Sequence, residues 1–185
     1  MYMKISFVGP FAVGKDAVSS YIEKKYNLTH ISSGNIIRDY ITKNNLGGLD
    51  RKNLQIVANK MRVDGGGDIL VKMALAEAKD NVIVSGLRAI DEVETFKKMG
   101  GNIIAITAPI EQRYKLAQMR GRVDDHISFE EFKKIEEEEN RSKDHNEQNL
   151  SKVIAMADFE VINDGSLEEL FAKCDKTISQ IMNGF

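Results

Sequence analysis

Short apolar runs rich in Val and Ile punctuate this chain, and longer stretches with apolar residues at helical spacing lie between them. Ile5, Phe7 and Val8 mark a first strand over residues 4–8. Thr29-His30-Ile31-Ser32 reads as a short second strand and Asn81-Val82-Ile83-Val84-Ser85 as a third. Asn102-Ile103-Ile104-Ala105-Ile106 reads as a fourth and Phe159-Glu160-Val161-Ile162 as a fifth. These runs do not alternate apolar with polar, which predicts strands covered on both faces. Ala17 to Tyr26 follows a helical pattern, and Ile36, Ile37, Tyr40 and Ile41 share one helical face. Alternating strands and helices predict an α/β fold in three layers: a five-stranded parallel sheet flanked by helices.

In such sheets ligands bind outside the carboxyl ends of the strands. The first strand is followed there by Gly9, Phe11, Ala12, Val13, Gly14, Lys15, Asp16 and Ala17, a G-x-x-x-x-G-K string that runs into a helix. A strand, a glycine loop and a helix N-terminus aim backbone N–H groups at one point, the cradle a polyphosphate needs. Lys15 adds a mobile positive charge for the β- and γ-phosphates. Asp16 stands where a Ser or Thr hydroxyl usually ligates Mg²⁺; its carboxylate is the candidate metal ligand. Ser19 and Ser20 lie too far along the helix to substitute.

Length and composition narrow the class. The chain has 185 residues, enough for one domain, with 42% hydrophobic residues to fill its core. A formal net charge of −2 argues against a nucleic-acid partner. One cysteine, Cys174, excludes a disulfide framework, and its helical setting predicts an inert buried thiol. No apolar run reaches membrane-spanning length and no signal-peptide pattern opens the chain, so a cytoplasmic protein is expected.

Phosphoryl transfer needs two phosphates in line and positive charge where negative charge builds up. Lys15, Arg38 and Arg88 follow predicted strands, and Arg120 and Arg122 flank Gly121 in a polar stretch. Ser33 and Gly34 open the helix that carries Arg38, and Gly86 lies two residues before Arg88. Arginine forks match pairs of phosphate oxygens. The Arg120-Gly121-Arg122 stretch reads as a lid closing over phosphate. The four acids Glu136 to Glu139 read as a solvated helix face. His30, His126 and His145 sit in unlike settings, and none reads as a metal ligand.

These motifs together resemble the nucleoside monophosphate kinases, adenylate kinase in particular, and still more the small archaeal-type adenylate-kinase-related proteins. Ser32-Ser33-Gly34-Asn35-Ile36-Ile37-Arg38 is similar to that family's S-T-G-D-L-L-R motif and Ser85-Gly86-Leu87-Arg88 to D-G-Y/F-P-R. Gly121-Arg122-Val123-Asp124-Asp125 is similar to the short-lid G-R-x-D-D, and Asn163 to Glu169 resembles the segment before the last helix. The resemblance implies the P-loop NTPase fold with a helical acceptor-binding insertion over residues 34–80 and a short lid over 120–141. The core would comprise 1–33, 81–119 and 142–185.

The resemblance also implies ATP with Mg²⁺ as donor and a small phosphorylated acceptor. Residues 9 and 11–17 would bind ATP. Ser33, Gly34, Arg38, Gly86, Arg88 and Glu92 would bind the acceptor, and Lys15, Arg88, Arg120 and Arg122 would act at the transferring group. Five positions depart from the pattern, the first being Asp16 after the loop lysine. Ser85 replaces the family's acid, Glu92 stands where a base-reading Gln is usual, and Leu116 and Ile135 stand near expected arginines. The G-K-D variant also resembles phage-type deoxynucleotide kinases and the animal type of phosphomevalonate kinase. The expected reaction moves the γ-phosphoryl of ATP to a (deoxy)nucleoside monophosphate. Two alternatives remain: a kinase for dephospho-coenzyme A or phosphomevalonate-type acceptors, and a non-enzymatic nucleotide-binding regulator. The oligomeric state cannot be read from the chain.

Overall fold

A computed structural model describes residues 3–78, 80–121, 127–140 and 149–184. Five strands form one sheet: β1 (Lys4–Val8), β2 (Thr29–Ser32), β3 (Val82–Ser85), β4 (Asn102–Thr107) and β5 (Phe159–Ile162). Their order is β2-β3-β1-β4-β5, and every pairing is parallel. All five apolar runs become strands within a residue of the expected bounds. The third starts at Val82 because Asn81 adopts a left-handed φ of 54°. From there its carbonyl accepts from the Thr29 N–H and its side chain accepts from the Met3 N–H.

Nine helices are described. They are α1 (Lys15–Tyr26), α2 (Ser33–Asn44), α3 (Arg51–Gly65), α4 (Ile69–Glu77), α5 (Ile90–Lys98), α6 (Ile110–Arg120), α7 (Phe129–Asn140), α8 (Leu150–Ala155) and α9 (Leu167–Asn183). Successive side chains on the central strands point to opposite faces, so the sheet feeds two cores. Val82, Val84, Ile103 and Ala105 enter a cluster with α2, α3, α4 and α5. Ile5, Phe7, Ile83, Ile104 and Ile106 enter another with α1 and α9. Cys174 lies fully buried in the second, where desolvation pushes its thiol up to about 12, as suits an unreactive residue.

A buried ion pair crosses the first core. Arg62, on α3, is 1% exposed and Glu92, on α5, is 0% exposed. Arg62 Nε donates to Glu92 Oε1 at 2.9 Å, while Glu92 Oε2 accepts from the backbone N–H groups of Arg88 at 2.7 Å and Ala89 at 3.1 Å. Glu92 therefore serves as the N-terminal cap of α5 and as the counter-ion of α3. Removing one partner strands the other charge in the interior. Arg62→Leu should lower the unfolding free energy by about 3–5 kcal/mol. Arg62→Met with Glu92→Gln, which removes both charges and keeps an oxygen for the N–H groups, should recover most of that loss in urea titrations. Wild-type stability for the single variant would refute this.

Candidate active site

The loop after β1 turns sharply over the end of β4. Gly9 has a φ of 145°, and a Cβ built there would lie 2.1 Å from the Ile106 carbonyl oxygen. Ala12 sits at a φ of 59°, a left-handed backbone that costs a residue with a side chain about 1–2 kcal/mol. Lys15, the first residue of α1, folds back so that Nζ donates to the carbonyls of Gly9 at 2.8 Å and Pro10 at 2.7 Å. From the end of β5, Asn163 braces the loop. Its backbone N–H donates to Thr107 O at 2.8 Å and its buried Nδ2 donates to Val13 O at 3.0 Å. Sequence reasoning had Asn163 only in a segment before the last helix, not as a support of the phosphate loop.

A second wall rises from the exits of β2 and β3. The Ser33 hydroxyl lies 3.1 Å from the Ser85 carbonyl and 2.8 Å from that of Gly86, to which it donates. Gly86 has a φ of 90°, and a Cβ there would stand 2.5 Å from Ser33 Oγ. This close approach places Arg88 and the α2 residues Gly34 and Arg38 along one rim. Arg38 Nη1 donates to Asn35 Oδ1 at 3.4 Å.

Between the two walls lies a cleft of about 850 Å³. Residues 11–17, Ser33, Gly34, Arg38, Gly86, Arg88 and Arg120 all line it. Gly9 does not line it; its part is to let the loop turn. Glu92 does not line it either. The expectation that Glu92 meets the acceptor is corrected by its burial against Arg62 and the α5 N-terminus. Arg122, with Val123, Asp124, Asp125, His126, Arg141 and His145, lies outside the described residues.

Phe11 joins three parts of the molecule. The Arg51 guanidinium carbon lies 4.0 Å from its ring centroid and that of Arg120 lies 4.9 Å away, both in cation–π range. The ring of Phe132, on α7, is 5.6 Å distant. Beneath it Arg113, 4% exposed, pairs through both terminal nitrogens with the Glu136 carboxylate, and its Nε donates to Ala108 O at 3.0 Å. Glu136 is thus not part of a solvated face as the acidic run implied. It is the anchor that ties α7 to α6. Neither Arg51, Arg62 nor Arg113 stood out in the sequence, because each is a single charge in a helical stretch with no motif around it.

His30 lies half-buried on the cleft wall, with Nε2 2.8 Å from Ser85 Oγ. Desolvation lowers its pKa below 6.5, against opposing pulls from the carboxylates of Glu23 and Asp16, and keeps the ring neutral at pH 7. Among the described residues no three His, Cys, Asp or Glu side chains gather to cage a metal. The polar groups near the loop, the Asp16 carboxylate and the Ser85 hydroxyl, fit Mg²⁺, which binds through one or two protein oxygens plus phosphates. No helix among the described residues is long and apolar enough to cross a membrane.

Sheet order, glycine loop and cationic cleft define a P-loop protein of the nucleoside monophosphate kinase-like superfamily. The family model described as an AAA domain matches residues 8–133. A UPF0200 protein of Thermococcus kodakarensis is 30% identical over 92% of this chain and 93% of its own length. A UPF0200/UPF0201 protein of Archaeoglobus fulgidus is 32% identical over 91% of this chain, which spans about half, 53%, of that relative. The chain belongs to this AAA-domain family and to the UPF0200 proteins. Among solved structures it superposes on shikimate kinase from Bacteroides thetaiotaomicron with a TM-score of 0.64, at 12% identity and full coverage of both chains. Dephospho-CoA kinase from Campylobacter jejuni gives 0.55 at 18% identity, covering 100% of this chain and 99% of the other. The fold is that of small-molecule kinases.

The His30 environment makes stability depend on pH. The unfolded chain takes up this proton near pH 6.5, whereas the folded chain resists it until lower pH. The unfolded state thus binds more protons in that window, so the contribution is intact above pH 6.5 and is lost as pH falls below it. His30→Gln should flatten the fall in unfolding free energy between pH 7 and 5. An unchanged slope would show that His30 titrates normally.

Proposed function

We propose that this protein transfers the γ-phosphoryl group of ATP to a (deoxy)nucleoside monophosphate. The observation that carries the reading is that Lys15, Arg38, Arg88 and Arg120, drawn from four separate stretches, line one cleft with the glycine loop. Backbone N–H groups of residues 11–15 would hold the donor phosphates, and the Lys15 ammonium would exchange the Gly9 and Pro10 carbonyls for phosphate oxygens. Arg38 and Arg88 would hold the acceptor phosphate, with Ser33 and Gly86 shaping its seat. Arg120, already over Phe11, would face the transferring group, and Arg122 would complete the lid.

An acceptor phosphate oxygen forms the new bond to the γ-phosphorus. The bond from that phosphorus to the β–γ bridging oxygen breaks, and ADP leaves with the electron pair. No general base is required, because the acceptor phosphate is already ionised. Mg²⁺ would supply charge neutralisation on the donor phosphates. Asp16, opening α1, would hold it together with Ser85.

One observation favours a second reading. A neutral His30 bonded to Ser85 could take a proton from a hydroxyl acceptor, the kind dephospho-coenzyme A presents. An ADP-release assay across nucleoside monophosphates, dephospho-coenzyme A and phosphomevalonate, with and without Mg²⁺, separates the two. Turnover stimulated by a nucleotide supports the first reading. Turnover with dephospho-coenzyme A alone supports the second, and ATP binding without any acceptor-stimulated turnover overturns both in favour of a regulatory nucleotide binder.

Lys15→Ala should lower kcat by about 10²–10³-fold, the loss typical of removing a group that meets developing charge. Arg88→Ala should raise the acceptor KM and lower kcat together, since it holds and orients one phosphate. Asp16→Ala should weaken the dependence of turnover on Mg²⁺. Each assignment fails if its variant keeps wild-type kinetics.

A further inference from the structure

The cleft is not uniformly cationic. Alongside Arg38 and Arg88 its lining includes the apolar side chains of Ile37, Leu49 and Leu54, and one amide, Gln55, on α3. Ile37 is buried, while Leu49 is 49% exposed. A phosphate has no use for an apolar wall. A flat heterocycle does: apolar side chains take its faces, and a side-chain amide takes its edge.

Among the described residues three amides line the cleft, and two are committed. Asn163 donates to Val13 O, and Asn35 accepts from Arg38. The Gln55 amide makes no hydrogen bond among the described residues. Half-exposed at the cleft wall, this amide has two donors and an acceptor that no described protein group uses. The position that matches the base-reading Gln of the adenylate kinases is occupied by Glu92, and its carboxylate is consumed by Arg62 and two backbone N–H groups. Base reading has to come from elsewhere in the wall.

We propose that Gln55 reads the edge of the acceptor's nucleobase and so sets which monophosphate is used. This rests on the nucleoside monophosphate reading above. A primary amide presents a donor beside an acceptor and can pair with the amino or the carbonyl edge of a base. A carboxylate can only accept, so it keeps an amino edge and repels a carbonyl edge.

The test is calorimetric binding of AMP, IMP, CMP, UMP and ribose 5-phosphate to the wild type, Gln55→Leu and Gln55→Glu. Ribose 5-phosphate carries the phosphate without the base. Gln55→Leu should weaken the preferred monophosphate about tenfold and leave ribose 5-phosphate unchanged, as expected for loss of one or two hydrogen bonds. Gln55→Glu should shift preference toward AMP over IMP and CMP over UMP. Should Gln55→Leu weaken both ligand types equally, or neither, the assignment to Gln55 is wrong while the acceptor reading stands. Should Gln55→Leu not fold, the Gln55→Glu ratios decide alone, and unchanged ratios reject the assignment. If the wild type binds no monophosphate better than ribose 5-phosphate, the acceptor reading itself falls and takes this one with it.

Discussion

The contact on which the glycine loop depends is between two pieces of backbone. At Gly9 the chain passes so close to the Ile106 carbonyl that no side chain fits between them. That closeness lets the loop curl back over the sheet instead of continuing outward from β1. It also brings Lys15 round to its own loop carbonyls and sets the start of α1 under the cradle. Asn163 then fixes the loop from the other side of β4. A parallel sheet makes this possible because β1 and β4 end at the same edge, with the register running Val8 against Ala105.

The opposite wall of the cleft is assembled differently. It depends on α3, which has one end fixed and one end over the loop. Near its C-terminal end Arg62 is locked to Glu92 in the core, and at its start Arg51 stacks on Phe11. α6 and α7 reach the same ring through Arg120 and Phe132, and α7 is held by Arg113 and Glu136. Phe11 is therefore the place where the glycine loop, α3, α6 and α7 meet. A stack of this kind contributes about 0.5–2 kcal/mol.

Much of the frame was legible in the sequence because it depends on short-range signals. Five Val- and Ile-rich runs gave five strands, and the glycine loop could be placed after β1 because strand, glycines and helix are contiguous. Arg38 and Arg88 could be placed on the cleft because each follows a strand exit by a few residues. What escaped were interactions between residues far apart in the chain. Arg62 and Glu92 are thirty positions apart, and nothing near either one marks a buried pair. Arg113 and Glu136 share that property, and an acidic run that looks solvated from its composition hides one residue with a buried partner. Gln55 was silent for a further reason: its interest lies in what its neighbours leave unbonded.

The Arg62–Glu92 pair also restricts how this sequence can drift. A lone change at either position leaves an isolated charge in an apolar interior, so the two sites must change together or not at all. A lineage that places glutamine at position 92, as adenylate kinases do, needs an uncharged or otherwise neutralised residue at position 62 in the same step. The glutamate here is then less a lost base-reading residue than one half of a coupled pair, and co-variation between positions 62 and 92 among relatives is its expected trace.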